Sequence, residues 1–145
     1  MKKLILSISA IFFFGMLNAQ TTEPVVTEEK GEITFTSIEH NYGTVEFNAN
    51  GTCEFEFTNT GKIALVLNNV QASCGCTAPE WSKEPIKPGD KGKITVKYNT
   101  MIPGPFQKQI RVYSNAKTSP VVLTIKGDVK PQQQPQVDTQ KQPTN

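Results

Sequence analysis

The chain has 145 residues, 37% of them apolar and 19% charged, with 15 basic against 13 acidic groups and one histidine. So small a positive excess gives no electrostatic footprint for nucleic acid or an anionic membrane surface, and a single histidine leaves little material for acid–base catalysis. Three cysteines are an odd number, so at least one thiol stays unexplained by any internal pairing.

In chain order, the first segment is MKKLILSISAIFFFGMLNAQ. Lys2 and Lys3 make a positive end, an apolar run extends from Leu4 to Leu17, and Ala19 is a small residue suited to cleavage. These are the three parts of a secretory signal peptide, expected over residues 1–19. The run is shorter than the ~20 apolar residues of a spanning helix, so export to the periplasm or secretion is expected, with no membrane span after cleavage. Loss of Lys2 and Lys3 leaves as many basic groups as the 13 acidic ones.

Residues 20–31, QTTEPVVTEEKG, are polar and charged and read as a flexible linker. Residues 130–145, KPQQQPQVDTQKQPTN, hold Val137 as their one apolar side chain and read as a disordered Gln/Pro-rich tail. Neither composition buries enough apolar surface to offset the entropy of ordering it. Residues 32–129 remain as one small domain.

Within that domain the apolar residues alternate with period two, the signature of half-buried strands. Cys53, Phe55 and Phe57 share a face opposite Glu54 and Glu56, and Ile94, Val96 and Tyr98 share one opposite Thr95 and Lys97. Further strands are expected at 33–35, 65–70, 109–113 with Phe106 leading in, and 121–125. Turn chemistry separates them: Asn59-Thr60-Gly61, read as placing a glycine at positive φ, Pro88-Gly89-Asp90, and Pro103-Gly104-Pro105. The fold expected is all-β: an immunoglobulin-like antiparallel β-sandwich of about seven strands. Cys53 falls in its second strand and the sixth has no cysteine, so the inter-sheet disulfide of antibody domains is absent and apolar packing must hold the sheets.

The run LNNVQASCGCTAPEWSKEPIKPGDKGKITVKYNT, followed by GPFQKQIRVYSN, resembles the exported bacterial family catalogued as domain of unknown function 1573. Tyr42-Gly43-Thr44-Val45 matches its opening strand motif and Phe57-Thr58-Asn59-Thr60-Gly61 its first hairpin. Cys74-Gly75-Cys76-Thr77 matches its signature, Pro88-Gly89-Asp90 its turn, and Ser114-Asn115 the end of its penultimate strand. Cys53 has no counterpart in that signature. The family is similar in fold to the immunoglobulin-like domains of major sperm protein, pilus chaperones and ciliary scaffold proteins, which implies binding or scaffolding and not catalysis.

Residues that invite a catalytic reading have plainer explanations. His40, read as lying in the loop before Tyr42-Gly43, is thirty-four positions from Cys74, and a lone loop histidine is commonly a solvated surface residue. Glu54 and Glu56 alternate with phenylalanines and form a solvated strand face. No phosphate-cradling glycine spacing occurs. Lys83, Lys87, Lys91, Lys93 and Lys97 suit the outer face of a sheet that must not pair with other chains. Trp81, the one tryptophan, is either an anchor in an interaction loop or a cap on an open end of the core.

Cys74 and Cys76 admit three readings. As metal ligands they suit a soft ion such as Cu(I), with Met101 and His40 as conceivable partners, although the second cluster of a zinc site is missing. As a redox pair, a bridge across one residue is expected to be strained and easily reduced. As structure, either one of them crosslinks to Cys53, which the order of neighbouring strands allows, or all three remain buried thiols. The favoured function is a non-catalytic exported binding or scaffold domain without cofactor, acting on an unknown exported or envelope protein through an edge strand or the loops from Cys74 to Trp81. The alternative is a small periplasmic thiol protein that handles copper or exchanges disulfides through Cys74 and Cys76.

Overall fold

The alternation at 53–57 produces the central strand of one sheet. Cys53, Phe55 and Phe57 are buried while Glu54 and Glu56 face solvent. The computed structural model describes residues 29–133; the expected signal peptide, and the expected linker and tail apart from residues 29–31 and 130–133, lie outside the described residues. Eight strands follow in order: β1 (Ile33–Phe35), β2 (Glu39–Val45), β3 (Thr52–Asn59), β4 (Leu67–Ala72), β5 (Thr77–Trp81), β6 (Lys91–Tyr98), β7 (Gly104–Ser114) and β8 (Val121–Val129). They form two four-stranded sheets, ordered β1-β3-β6-β5 and β2-β8-β7-β4.

The inner faces meet through one apolar core. Phe55 and Phe57 of β3 and Ile94 and Val96 of β6 oppose Ile110 and Val112 of β7 and Leu123 and Ile125 of β8, all 2% exposed or less. Tyr98 and Phe106 stack across the layers with ring centroids 3.8 Å apart. Burying side chains of this size stabilises the sandwich by about 1.5–3 kcal/mol each, so no inter-sheet crosslink is needed. The immunoglobulin-like β-sandwich expected from alternation is the observed fold.

Two of the eight strands were not marked by alternation. β2 has no run of core-facing apolar residues; only His40, Tyr42 and Val45 are partly covered. Backbone pairing holds it beside β8, and this pair is parallel, whereas the other strand pairs among the described residues are antiparallel. A bulge between Asn41 and Thr44 contains Gly43 at φ 64°, whose amide donates to Asn41 Oδ1 at 2.9 Å. Gly127 keeps the contact close: a Cβ there would lie 3.0 Å from the Gly43 carbonyl oxygen. The other, β5, carries Pro79 and pairs with β6 alone, as a proline-bearing edge strand does.

The ends and turns also differ in detail from expectation. Leu65 is fully buried but lies in an isolated bridge to Ile86, and β4 begins at Leu67. Gly31, assigned above to the linker, exchanges backbone hydrogen bonds with Asn115 and Lys117 and is part of the fold. Gly89 has the expected positive φ of 83°, whereas Gly61 does not. Gly61 is required for space instead, because a Cβ there would sit 2.6 Å from the Glu32 amide nitrogen. Beside it Asn59 is fully buried, donating from Nδ2 to the carbonyls of Ile63 and Ile86 at 2.8 Å each and accepting from the Gly61 amide at 3.0 Å.

Candidate functional site

The Cys74-Gly75-Cys76 segment carries the chain from one sheet to the other. β4 ends at Ala72, and Ser73 fastens that end to β7: its amide donates to the Gln109 carbonyl at 2.9 Å and its hydroxyl accepts from the Gln109 amide at 3.2 Å. Past the turn, β5 begins in the opposite sheet, with the Asn99 amide donating to the Cys76 carbonyl at 2.9 Å. The turn closes on itself through the Thr77 amide and the Cys74 carbonyl, 3.3 Å apart.

Within this turn Cys74 and Cys76 are joined to each other, with Cα atoms 5.3 Å apart. Both are half-buried, and Cys76 packs against the core. The Thr77 hydroxyl lies 3.8 Å from the Cys74 sulfur and 3.9 Å from that of Cys76. A bridged pair presents no thiolate to a soft metal, and among the described residues no three His, Cys, Asp or Glu side chains converge.

Cys53 is a free, buried thiol, so the crosslink to the CGC segment that the sequence allowed does not form. That crosslink required the strand of Cys53 and the strand ending before Cys74 to be neighbours, but β3 and β4 belong to different sheets. Within its own sheet Cys53 pairs with Val96, and β6 separates it from β5. Two strand spacings are about 9.5 Å, beyond the roughly 7 Å that a disulfide spans between Cα atoms. Burial pushes the Cys53 thiol above its ordinary pKa, and the Tyr42 hydroxyl partly offsets that.

Next to the bridge lies a cleft of about 510 Å³. One wall is the 48–51 segment, the other is formed by Gly75, Cys76, Ala78 and Lys97, and residues 98–101 complete it. The 48–51 wall is tied to residues 98–100: the Asn48 amide donates to the Thr100 carbonyl at 3.1 Å, the Thr100 hydroxyl to the Ala49 carbonyl at 2.6 Å, and the Tyr98 amide to the Gly51 carbonyl at 2.8 Å. Only glycine fits at 51, since a Cβ would lie 2.2 Å from the Tyr98 carbonyl oxygen. Asn48 adopts φ 61°, a conformation asparagine tolerates better than most residues. Met101 and Ile102 follow, 56% and 44% exposed.

The other residues singled out in the sequence separate. Met101 joins Cys76 in the cleft lining, but His40 does not. His40 lies in β2 and not in a loop, half-buried, its ring edge-on to Tyr42 at 4.5 Å. Trp81 ends β5 and packs on the core, so it is not a loop residue; Lys83 Nζ sits 3.4 Å from its ring centroid. Glu54 forms an exposed ion pair with Lys93 at 2.7 Å, which lowers its pKa, and Glu56 is exposed on the same face. Sequence reasoning missed the 48–51 wall. Its signal was the cluster of asparagines: Asn50 Oδ1 accepts the Thr52 amide and Asn99 Oδ1 the Met101 amide, both at 3.0 Å, marking the two turns that frame the cleft.

Fold and site together define an immunoglobulin-like β-sandwich with a disulfide-bridged inter-sheet turn. The chain belongs to the family described as Protein of unknown function (DUF1573), whose model matches residues 33–129. No curated protein matches it in sequence. Among solved structures it is similar to a protein of unknown function from Porphyromonas gingivalis W83, at 16% identity and TM-score 0.64 over 74% of this chain; that match spans 51% of the other chain, about half its length. It is also similar to a PapD-like domain of human CEP192, at 8% identity and TM-score 0.59 over 87% of this chain and 97% of that one. The VesB protease of Vibrio cholerae matches at 12% identity and TM-score 0.55, over 69% of this chain and 32% of its own. At such identities these likenesses establish the fold alone.

Proposed function

We propose that this protein is an exported, non-catalytic binding or scaffold domain, periplasmic or secreted, that receives an exported or envelope protein at the cleft end of its sandwich. The observation that carries this reading is the cleft itself, with its hydrogen-bonded walls and the exposed Met101 and Ile102 at its margin. Pre-ordered walls lose little conformational entropy on binding, and exposed apolar side chains supply contact area. Beside the cleft, β5 is an edge strand, and an extended partner segment can add to its free backbone edge. The cleft lining contains no histidine and no carboxylate, which favours binding over acid–base catalysis. Among the described residues no helix is long and apolar enough to cross a membrane.

Site-specific photocrosslinking tests the surface. A crosslinker at Ala78 is expected to give adducts of one defined partner, reduced by Met101→Glu, while the same group at the exposed Glu56 gives none. Equal yields from both positions would remove the cleft as the binding surface. Export is tested separately by intact mass: the exported protein is expected to begin at Gln20, and one retaining residues 1–19 contradicts the signal-peptide reading.

A further inference from the structure

We propose that the Cys74–Cys76 bridge is a thiol–disulfide exchange site, entered by an incoming thiol from the cleft on its Cys76 side. The inference uses the same cleft as the binding reading but needs no protein partner, since any thiol that reaches the bridge suffices.

Four observations support it. Cys76 is among the residues that line the cleft and Cys74 is not, so the cleft meets the bridge on its Cys76 side. The approach over the turn is open, because a Cβ at Gly75 would meet nothing within 4 Å. Thr77 is buried, and its hydroxyl stands 3.8 and 3.9 Å from the two sulfurs, positioned to donate to whichever carries negative charge. Lys97, also in the cleft lining, adds a positive charge that favours an arriving thiolate.

The step balances without another reactant. The thiolate RS⁻ attacks Sγ of Cys76; the R–S–Sγ bond forms as the Cys74–Cys76 bond breaks, and the electron pair leaves on Cys74, where the Thr77 hydroxyl stabilises it. Return of the Cys74 thiolate onto Cys76 expels RS⁻ and restores the bridge. Attack by a second thiolate on the R sulfur instead releases an R–S–S–R′ disulfide. Cys74 and Cys76 then remain reduced by two electrons, taking up protons from solvent. Backbone hydrogen bonds at Ser73, Thr77 and Asn99 anchor the two ends of the turn that carries both sulfurs.

The experiment uses the full chain carrying Cys53→Ala, so that this pair holds the only cysteines. Reduced glutathione and an unstructured cysteine-containing peptide are the probes, and acid quenching with mass analysis reads the mixed disulfide. The folded bridge is expected to react faster than the same bridge in concentrated guanidinium at equal pH, by about ten-fold or more. With glutathione disulfide, Cys74→Ser should trap the adduct on Cys76 faster than Cys76→Ser traps it on Cys74. Thr77→Val should slow exchange several-fold and Thr77→Ser restore it. A peptide rate above that of glutathione identifies polypeptide cysteines as the better substrate and equal rates identify any accessible thiol; both uphold the proposal. A folded bridge no faster than the denatured one, or equal trapping by the two serine variants, overturns it, and neither result bears on photocrosslinking at Ala78.

Discussion

The Tyr42 hydroxyl donates a hydrogen bond to the Gly51 carbonyl oxygen at 2.7 Å, joining β2 of one sheet to the residue that precedes β3 in the other. The Tyr98 amide uses the same oxygen at 2.8 Å, so Gly51 is held from both sheets. Tyr42→Phe should therefore cost about 1 kcal/mol, read as a lower urea midpoint with an unchanged slope. A larger loss with a changed slope would mean that β2 detaches from β8.

Alkaline pH should destabilise the fold in a definite order. Burial raises the pKa of Cys53 above its ordinary 9.0 and that of Tyr42 above 10.0. Each group ionises more readily unfolded than folded. Its contribution is therefore complete below the unfolded pKa and lost as pH rises through the folded one. Unfolding midpoints should begin to fall near pH 9, and Cys53→Ala should flatten the first part of that decline. An unchanged pH profile in Cys53→Ala would show that this thiol titrates normally.

Asn59 should be the most costly polar residue to replace. It is fully buried and its side chain satisfies three backbone groups, of Ile63, Ile86 and Gly61. Asn59→Ala leaves them without that partner and should lose roughly 2–4 kcal/mol in denaturant unfolding. A loss no greater than that of an exposed alanine substitution would mean that water replaces the amide without cost.

The bridge should add modestly to stability. Cys74 and Cys76 are two positions apart, and closing so short a loop restricts the unfolded chain by only about 1.5 kcal/mol in the chain-entropy account. Replacing both with Ser should lower the melting midpoint by about 6–12 °C and leave the fold cooperative. In that variant Cys53 should resist alkylation until the protein unfolds, because it is buried. Rapid alkylation under native conditions would place Cys53 at the surface.

Period-two alternation by itself determined the all-β class and the inner faces of β3 and β6, because side-chain direction along a strand is a local property of the chain. Cys53, Phe55 and Phe57 could be assigned to the core without knowing what lies opposite them. The turn at Gly89 was likewise legible, since proline and glycine impose their dihedrals on the spot. β2 was not legible as a strand of this sheet, because EHNYGTV has no inward apolar row and is held by backbone pairing to residues more than eighty positions away. The disulfide partner was also a tertiary decision. Cysteine spacing cannot say which sheet a strand joins, and the separation of β3 from β4, with β6 between β3 and β5, left Cys74 and Cys76 to pair with each other. The cleft arose in the same way: 48–51, 75–78 and 97–101 are remote in sequence and meet only because β3, β6 and β5 are neighbours.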